Sequence, residues 1–514
     1  MQIADKYKPI LFFLLLAVIA ATHFDQMWTI YPTGIHAWAQ ADRLSLAIKF
    51  YDNGMDFFKP ATFNLMSRDG VTGVEFPIQS YLAALAGKAL GREYISVAFR
   101  VINTLISLAG LTCLFVAVYK RTKDFLFSTI TPLFLFCSPV FLYYTCNYLP
   151  DSASSSLLLI GFAYILNYLD DKKNADLIKA FIWFTIAALI KTSAALYIMG
   201  FTGFVFLNLL IGEKKYAVKN YLPLIGTAIA SIGILAGYFM FSRHLNKEYG
   251  DSGVFMAHAK PFADMDKFNY YINHSLKDVW LKEYFVLPEY LFFAVLFVPA
   301  FGYLRKDNIG KKQLHLLLIF LLGSLGVFYL MGMQLIGHDY YAIVIFFPTI
   351  VFAVLIATLI LYKQLQDTIA LKSVKRGILA SLILMYCFAN YQIHQRLYPD
   401  YYPHNPGVPW SVGGSQILDS LHISRQEKIT IFDDDPCNLA LYYFDRMGYT
   451  IRPGDWNGNI LYADSVIKST HTHILVLSTS KLNKLQTNYG DHFNTKFTPL
   501  YNKDSIAIYQ TNLY

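Results

Sequence analysis

Apolar runs long enough to cross a bilayer recur along the chain as far as about residue 395. A membrane-spanning helix needs about 20 mostly apolar residues. The composition, 55% hydrophobic and 15% charged, exceeds what a soluble core requires. We therefore predict an α-helical polytopic membrane protein with about 11 spans. The first run has no clear cleavage site and is expected to remain as a helix. The predicted spans are 9–22, 95–119, 124–145, 152–169, 177–190, 194–211, 221–242, 284–304, 313–334, 340–362 and 377–394.

The loops between these spans alternate between basic and weakly basic composition. Lys and Arg near span ends are retained on the cytoplasmic side, so the alternation predicts the N-terminus inside and the C-terminus outside. One additional span would invert every later loop, so the short apolar segment 77–91 is predicted to be an interfacial helix within the outer loop 23–94. The basic loops on the cytoplasmic side then explain the net charge of +8, so this charge does not indicate a nucleic-acid partner. The basic loops are YKRTKD (119–124), DDKKNADLIK (170–179), GEKKYAVKN (212–220), LRKDNIGKKQ (304–313) and KSVKR (372–376).

Ionisable residues gather on the predicted outer side. Carboxylates near lipid are costly and usually mark a water-filled site or an ion path. Three of them, together with several cations, predict a membrane-surface site for an anionic substrate. The carboxylates are Asp42, Glu75 and Asp151, and the accompanying residues are Arg43, Arg100, Lys191 and His338.

Two of these residues have a second interpretation. Asp151 follows Pro150 at the start of a span, where a carboxylate can cap the helix and face the positive end of its dipole. Lys191 lies where two short spans meet, and a lysine there could simply reach the interface with its long side chain. Both interpretations stay open.

The composition changes after the last span. Residues 396–410 are rich in proline and predict a linker. In 411–514 the segments KITIFDD, THILVLS and SIAIYQT predict strands between helices, and hence a small extracytoplasmic α/β domain. FDDDPCN (432–438) could be an acidic metal loop, but a strand followed by an Asp-capped helix is favoured. The five cysteines predict no disulfide framework.

Five motifs follow one another in a particular order along the chain: AQADRLSLAIKFYDNG, GVEFPIQSYLAALAGKALG, AFRVINTLISL, YLPDSAS and IGHDYYAIVIFFP. Their order resembles the C superfamily of polytopic glycosyltransferases, within residues 1–395, and in it a bacterial branch similar to protein O-mannosyltransferases and lipid A aminoarabinose transferases. Two departures are visible. A different register would put Gln40 at the position of Asp42, and Phe76 follows Glu75 where the aminoarabinose transferases have lysine.

The resemblance implies a polyprenyl-phosphate sugar donor and an inverting transfer at the periplasmic face of a bacterial inner membrane. The acceptor could be a protein, lipid A or a glycan. A carboxylate can act as general base toward the acceptor hydroxyl, and Asp42 is the first candidate. Asp151 and Glu75 are expected to support catalysis. Cations stabilise the leaving phosphate. The predicted substrate-binding residues are Arg43, Arg100, Lys191, His338 and Tyr341.

Two alternatives remain. Glu75, Asp151 and His338 could hold a divalent metal, although ion pairing of the two carboxylates with Arg43 and Lys191 is favoured because no tight ligand spacing is present. The chain could also be a transporter or flippase for a lipid-linked or anionic substrate. Transporters usually place ionisable residues near the midplane in paired halves. Here these residues gather at one surface, which favours an enzyme.

Overall fold

Helices form most of the chain up to residue 397. The computed structural model describes residues 4–24, 26–211, 222–251, 255, 259–304, 311–397 and 407–513, so the basic loop 212–220 and most of the Pro-rich linker lie outside the described residues. A π-helical segment, Tyr271–Tyr284, follows α11. The helices of this part are α1 (Lys8–His23), α2 (Ala37–Asp52), α3 (Ile78–Leu90), α4 (Ile95–Thr122), α5 (Phe125–Phe136), α6 (Pro139–Thr145), α7 (Asp151–Asp171), α8 (Asn174–Ile190), α9 (Ala195–Ile211), α10 (Leu222–Tyr249), α11 (Met265–Tyr270), α12 (Leu287–Leu304), α13 (Lys311–Leu330), α14 (Gly332–Gly337), α15 (Tyr341–Ile345), α16 (Phe347–Leu365) and α17 (Leu371–Leu397).

Each predicted span overlaps at least one of these helices. Within the described residues, six helices are long and apolar enough to cross a membrane, and two bent pairs raise the number to eight if each pair is one span. This is the composition expected of a multi-pass membrane protein. The count of about 11 and the in–out topology stay predictions. The segment 77–91 forms the 13-residue helix α3, and its interfacial position also stays a prediction.

The predicted span 124–145 is not one straight helix. It is divided into α5 and α6, which are bent by 80° relative to each other. Ser138 is the N-cap of α6 and its hydroxyl accepts a hydrogen bond from the backbone N–H of Phe141, at 3.3 Å, while Pro139 opens the helix. The same hydroxyl donates to the carbonyl of Tyr284 at 2.6 Å. A proline at the start of a helix cannot continue the ladder of the preceding one, which explains the break.

By contact, the described chain divides into two compact units. The first unit comprises 1–29, 100–239 and 257–395, and the second comprises 30–99, 240–256 and 396–514. The first is helical and the second contains the sheet. The sequence-based division into 1–395, 396–410 and 411–514 stays a prediction.

In the first unit, small residues let α7 pack closely on its neighbours. A Cβ added to Gly161 would lie 2.3 Å from the Phe184 ring on α8. The Ser154 hydroxyl donates to the Ala187 carbonyl of α8 at 2.9 Å. Interhelical hydrogen bonds and glycines of this kind are typical of close helix packing in membranes. Ser154, in the serine run after Asp151, therefore helps to hold α7 against α8.

The second unit contains α2, α3 and a five-stranded sheet with strand order β2-β1-β3-β5-β4. Strands β2, β1 and β3 run parallel, and β5 pairs antiparallel with both β3 and β4. The predicted strands correspond to β1, β3 and β5, whereas β2 and β4 were not predicted. The elements after residue 407 are helices α18 (Gly414–Ser420), α19 (Leu439–Phe444), α20 (Pro453–Trp456), α21 (Ile460–Thr470) and α22 (Thr479–Lys496), and strands β1 (Ile429–Phe432), β2 (Gly448–Ile451), β3 (Ile474–Ser478), β4 (Phe497–Lys503) and β5 (Ile506–Thr511).

The outer loop and the sheet are joined within this unit. The backbone N–H of Gly448 in β2 donates to the Phe63 carbonyl at 3.0 Å, and the N–H of Leu65 donates back to the Gly448 carbonyl at 2.7 Å. The loop segment thus pairs along the outer side of β2. Residues early and late in the sequence therefore share one core, in which Phe63 packs with Ile429 and Phe444.

Candidate functional site

The predicted site residues occur in both units, and we describe them as two clusters. The α2 cluster lies in the second unit and the α7 cluster in the first. Arg100 also belongs to the first unit, on α4. The α2 cluster consists of Asp42, Arg43, Glu75 and Asn438, and the α7 cluster of Asp151, Lys191, His338, Tyr340 and Tyr341.

Asp42 is a buried carboxylate on α2, with 7% of its surface exposed. Burial raises the pKa of Asp42 to about 7, although the neighbouring Arg43 and a hydrogen bond with Asn438 both act to lower it. Desolvation disfavours the charged form of a carboxyl, so burial is the dominant cause. A carboxylate with a pKa near 7 can take up a proton from a substrate at neutral pH, which is what a general base requires.

Asn438 was not among the predicted site residues. Its amide donates to the Ser45 hydroxyl at 2.8 Å, and its carbonyl oxygen accepts from the Phe63 backbone N–H at 3.1 Å. The same side chain hydrogen-bonds Asp42. Because both ends of the amide are engaged, its orientation is defined and it presents a neutral donor to the carboxylate.

Arg43 and Glu75 form the ion pair of the α2 cluster. Their closest atoms, Arg43 Nη2 and Glu75 Oε2, are 2.5 Å apart, and both side chains are about one-sixth exposed. The guanidinium also lies 5.0 Å from the centre of the Phe255 ring. Much of the charge on Arg43 is therefore compensated by Glu75 rather than by Asp42.

Gln40, the alternative to Asp42 in the first acidic motif, has a different environment. Its amide nitrogen donates to the carbonyls of Thr33 and Ile35, at 3.0 and 2.9 Å. These bonds hold the loop before α2. The geometry supports Asp42 as the acidic position, and the assignment stays a proposal.

The α7 cluster is centred on a buried ion pair. Lys191 Nζ lies 3.2 Å from Asp151 Oδ1, and the two side chains are 6% and 0% exposed. Lys191 ends α8 and Asp151 begins α7, so the packing of these helices brings the pair together. Pro150, not Asp151, occupies the N-cap position, which corrects the expectation that Asp151 caps the helix. It lies in the first turn, where the helix dipole still favours a negative charge.

Aromatic rings surround the lysine. Lys191 Nζ is 4.5 Å from the centre of the Tyr341 ring and 5.2 Å from that of Tyr340. His338 contacts both rings edge-on, and its Nδ1 is 2.7 Å from the Gln334 carbonyl. The HDYY segment therefore supplies cation–π contacts to Lys191, a stabilisation that grows when the cation is desolvated.

Arg100 is fully buried and contacts the segment just before α7. Its Nε donates to the Tyr148 hydroxyl at 3.0 Å and its Nη1 to the Cys146 carbonyl at 2.6 Å. Asn103, one turn further on, donates to the carbonyls of Asn147 and Leu149 at 2.6 and 3.2 Å. These bonds support a positioning role for Arg100 toward the turn that leads to α7. Its predicted role in phosphate binding stays a prediction.

Comparison with known proteins was made on sequence and on structure. No family model and no curated protein matches the chain. Among solved structures, ArnT from Cupriavidus metallidurans in the apo state superposes with a TM-score of 0.62 at 11% identity, covering 98% of this chain and 97% of that one. The chain has the fold of the C-superfamily (GT-C) glycosyltransferases. The predicted resemblance is thus confirmed at the level of the fold.

Other structures share this GT-C fold. ArnT bound to undecaprenyl phosphate gives a TM-score of 0.60 at 11% identity, with 97% of each chain covered. The archaeal oligosaccharyltransferase AglB from Archaeoglobus fulgidus, in complex with an inhibitory peptide and a dolichol-phosphate, gives 0.54 at 12% identity over 95% of this chain and 70% of that one. The mycobacterial arabinofuranosyltransferase AftD gives 0.53 at 10% identity, where this chain spans 40% of its length.

The carboxylates proposed as metal ligands in this GT-C fold are both paired with cations. Glu75 contacts Arg43 and Asp151 contacts Lys191, as the ion-pair alternative predicts. Among the residues that the structure describes, no group of three or more His, Cys, Asp and Glu side chains is arranged to hold a metal ion. The side chains available as ligands therefore give no support to a metal at Glu75, Asp151 and His338.

The FDDDPCN segment corrects a further prediction. Helix α19 begins after Asn438, not after an aspartate, and the N-cap side chain makes no capping hydrogen bond. Asp433 accepts from the Trp456 indole at 2.9 Å and lies 2.8 Å from Lys481 Nζ. The Asp-capped helix is thus wrong, because Asn438 directs its amide to α2 instead. An asparagine just before a helix resembles an ordinary cap, so the local sequence gives no signal of this role.

Proposed function

We propose that the chain is an integral membrane glycosyltransferase that transfers a sugar from a polyprenyl-phosphate donor to an acceptor hydroxyl. The observation that carries this proposal is the buried Asp42, with its pKa raised to about 7, in a chain with the GT-C fold. The solved structures that share the fold include complexes with undecaprenyl phosphate and dolichol-phosphate, which supports a donor of this class. The acceptor class includes a protein, lipid A or a surface glycan, and we place the reaction at the periplasmic face of a bacterial inner membrane.

In the proposed reaction the acceptor hydroxyl attacks the anomeric carbon of the donor sugar. Its proton passes to the Asp42 carboxylate as the new C–O bond forms. The bond between the anomeric carbon and the phosphate oxygen breaks on the opposite side, so the configuration is inverted and polyprenyl phosphate leaves. Asn438 orients the carboxylate and keeps it partly ionised, because its hydrogen bond favours the charged form.

The leaving phosphate needs positive charge that water does not screen. Lys191 has the required chemistry, because it is a buried lysine that contacts the Tyr341 ring and forms an ion pair with Asp151. Arg43 can offer the N–H groups that Glu75 does not use. Roles in phosphate recognition for Lys191, Arg43 and Arg100, and in substrate binding for His338 and Tyr341, are the roles that we propose from the sequence.

The experiment that tests the function uses the full chain, purified and reconstituted in lipid. It is given a panel of polyprenyl-phosphate sugars with an acceptor mixture, and release of polyprenyl phosphate is measured with and without EDTA. We expect release with at least one donor and its loss in Asp42→Asn. Transfer that survives EDTA is a metal-independent reaction.

Two outcomes would contradict the proposal. Equal release of polyprenyl phosphate by Asp42→Asn and by the parent chain would exclude Asp42 as the general base. Movement of intact donor across the bilayer, without release of polyprenyl phosphate from any member of the panel, would instead identify a transporter or flippase.

A further inference from the structure

A cavity of ≈ 270 Å³ lies within the first unit, away from the α7 cluster. It is lined near the C-terminal ends of α4, α7 and α16 and near the start of α13. Leu166, one of its lining residues, is 15 residues after Asp151 on α7, or about 22 Å at the rise of an α-helix. The cavity is therefore separate from the ion pair at the other end of the same helix.

Four of the residues that line this cavity are apolar, namely Leu166, Ile356, Leu359 and Ile360, from α7 and α16. Two tyrosines also line it, Tyr303 at the end of α12 and Tyr362 in the last turn of α16. Tyrosine at the ends of apolar helices is typical of the boundary between hydrocarbon and headgroups.

The lining also contains charged residues, and its two cations outnumber its one carboxylate. The cations are Arg121 and Lys363, and the carboxylate is Asp170. Arg121 Nη2 lies 2.6 Å from Asp170 Oδ2, so this pair is roughly neutral. Lys363, at the end of α16, adds a further cation.

Two more lysines adjoin the lining residues. Lys172 follows Asp170 by two positions, and Lys312 precedes the lining residue Gln313. Partial desolvation lowers the pKa of Lys172, and the charge of Lys312 lowers it further while Asp170 raises it. The charge of Lys312 thus acts on Lys172, and an anion beside these lysines would compensate both charges.

A lining that combines apolar side chains with cations at the ends of apolar helices matches the two parts of a lipid. We call Lys172, Lys312 and Lys363 the lysine rim. The helix ends concerned lead into the basic loops 119–124, 170–179 and 304–313, which are predicted to face the cytoplasm. Basic pockets between membrane helices on that side recognise anionic headgroups. We propose that this cavity binds an anionic glycerophospholipid, with the phosphate at the lysine rim and the upper part of one acyl chain along Leu166 and Ile360.

The test measures lipid binding by native mass spectrometry of the full chain in detergent, titrated with phosphatidylglycerol or with phosphatidylcholine. Lys312→Gln/Lys363→Gln removes two rim charges, and Ile360→Trp fills the cavity without changing charge. Both are expected to weaken phosphatidylglycerol binding about tenfold or more. The charge variant should leave phosphatidylcholine binding little changed, whereas Ile360→Trp should weaken any phosphatidylcholine binding as well, because the two lipids share the same acyl chains. The matched controls are Lys375→Gln, a lysine that pairs with Asp124 and does not line the cavity, and Leu318→Trp, whose side chain is exposed on α13.

The outcomes are distinct. Phosphatidylglycerol affinity that is unchanged in both cavity variants overturns the proposal, as does an equal loss in the two controls. Displacement of bound lipid by millimolar inorganic phosphate would show that the headgroup charge alone accounts for binding, and would overturn the role of the acyl chain. Since the readout is binding, neither result depends on whether sugar transfer occurs.

Discussion

Two buried aspartates, one in each unit, have opposite environments. Asp151 lies 3.2 Å from the lysine that compensates it, whereas Asp42 is held by the neutral amide of Asn438 while its neighbour Arg43 pairs with Glu75. A carboxylate with a full counter-ion is stabilised as an anion, but a buried carboxylate without one gains by taking up a proton. The same residue type is thus one half of an ion pair in one place and a candidate base in the other.

The largest expected effect comes from removing the candidate base. Asp42→Asn keeps the shape and the hydrogen-bonding capacity of the side chain, so the fold should persist while turnover falls about 10³-fold. The measurement is release of polyprenyl phosphate at saturating donor. Asp56→Asn, at an exposed carboxylate of the same unit, is the control and should keep full turnover. A loss of turnover of less than threefold in Asp42→Asn would contradict the assignment of Asp42 as the base.

The pH dependence follows from the direction of the shift. A general base must be deprotonated, so kcat/KM of the parent chain should fall as pH decreases through about 7, the pKa of Asp42. The measurement is a rate profile from pH 5 to 9 in one lipid composition, a range of roughly two units on either side of the pKa. A profile that stays flat down to pH 5 would be incompatible with Asp42 as the base.

Breaking the ion pair between Asp151 and Lys191 should lower the stability of the protein, and not only its activity. Lys191→Met leaves the charge of Asp151 buried without its described cation, and we expect a loss of about 3 kcal/mol in the free energy of unfolding. The double variant Asp151→Asn/Lys191→Met should recover most of it, because no buried charge remains. Thermal unfolding in detergent measures both. Lys120→Met, at an exposed pair with Asp171, should change stability by less than about 1 kcal/mol.

If the double variant is no more stable than Lys191→Met, the pair does not act as a unit and the contrast with Asp42 disappears. Turnover of the double variant sharpens the comparison further. A stable protein with much reduced donor binding would give Lys191 a role in recognising phosphate in addition to its structural one.

The elements of the fold follow from sequence far better than the clusters do. A run of apolar residues is a local signal, so each predicted span overlaps a helix, and the strands β1, β3 and β5 lie where the pattern predicts them. Strand β4 is not predicted from the sequence because it is mostly exposed and contains Pro499, which lacks the N–H that a central strand needs. The contact between Asn438 and α2 is not predicted for another reason. It joins residues hundreds of positions apart, and no local pattern encodes such a pairing.

A smaller effect is expected at Asn438. Its hydrogen bond lowers the pKa of Asp42, so Asn438→Ala should raise that pKa further and move the acid limb of the rate profile to higher pH by up to about one unit. The comparison is with Asn459→Ala, which removes the side-chain cap of α21 and should reduce stability without moving the limb. An unmoved limb in Asn438→Ala would leave Asn438 as a purely structural contact.

The smallest effect is expected at Arg100, which the sequence assigns to the lipid phosphate. Arg100→Lys keeps the charge but loses the fork of donors, so we expect donor affinity to fall about three- to tenfold with little change in turnover at saturating donor. Tyr148→Phe removes the acceptor of the Arg100 Nε hydrogen bond and leaves the guanidinium in place. Reduced turnover in both variants with unchanged donor affinity would assign Arg100 to the turn before α7.

The pairing of α2 with Asn438 has a consequence for the time at which the protein becomes active. The bond from Asn438 to Ser45 joins residues 393 positions apart. At usual rates of translation, about 5–20 residues per second, the ribosome needs about 20–80 s to supply the second partner after the first. During that interval α2 has been synthesised, but the asparagine that orients its carboxylate has not. A chain released early would lack this group, so the candidate base acquires its full environment only when synthesis is nearly finished.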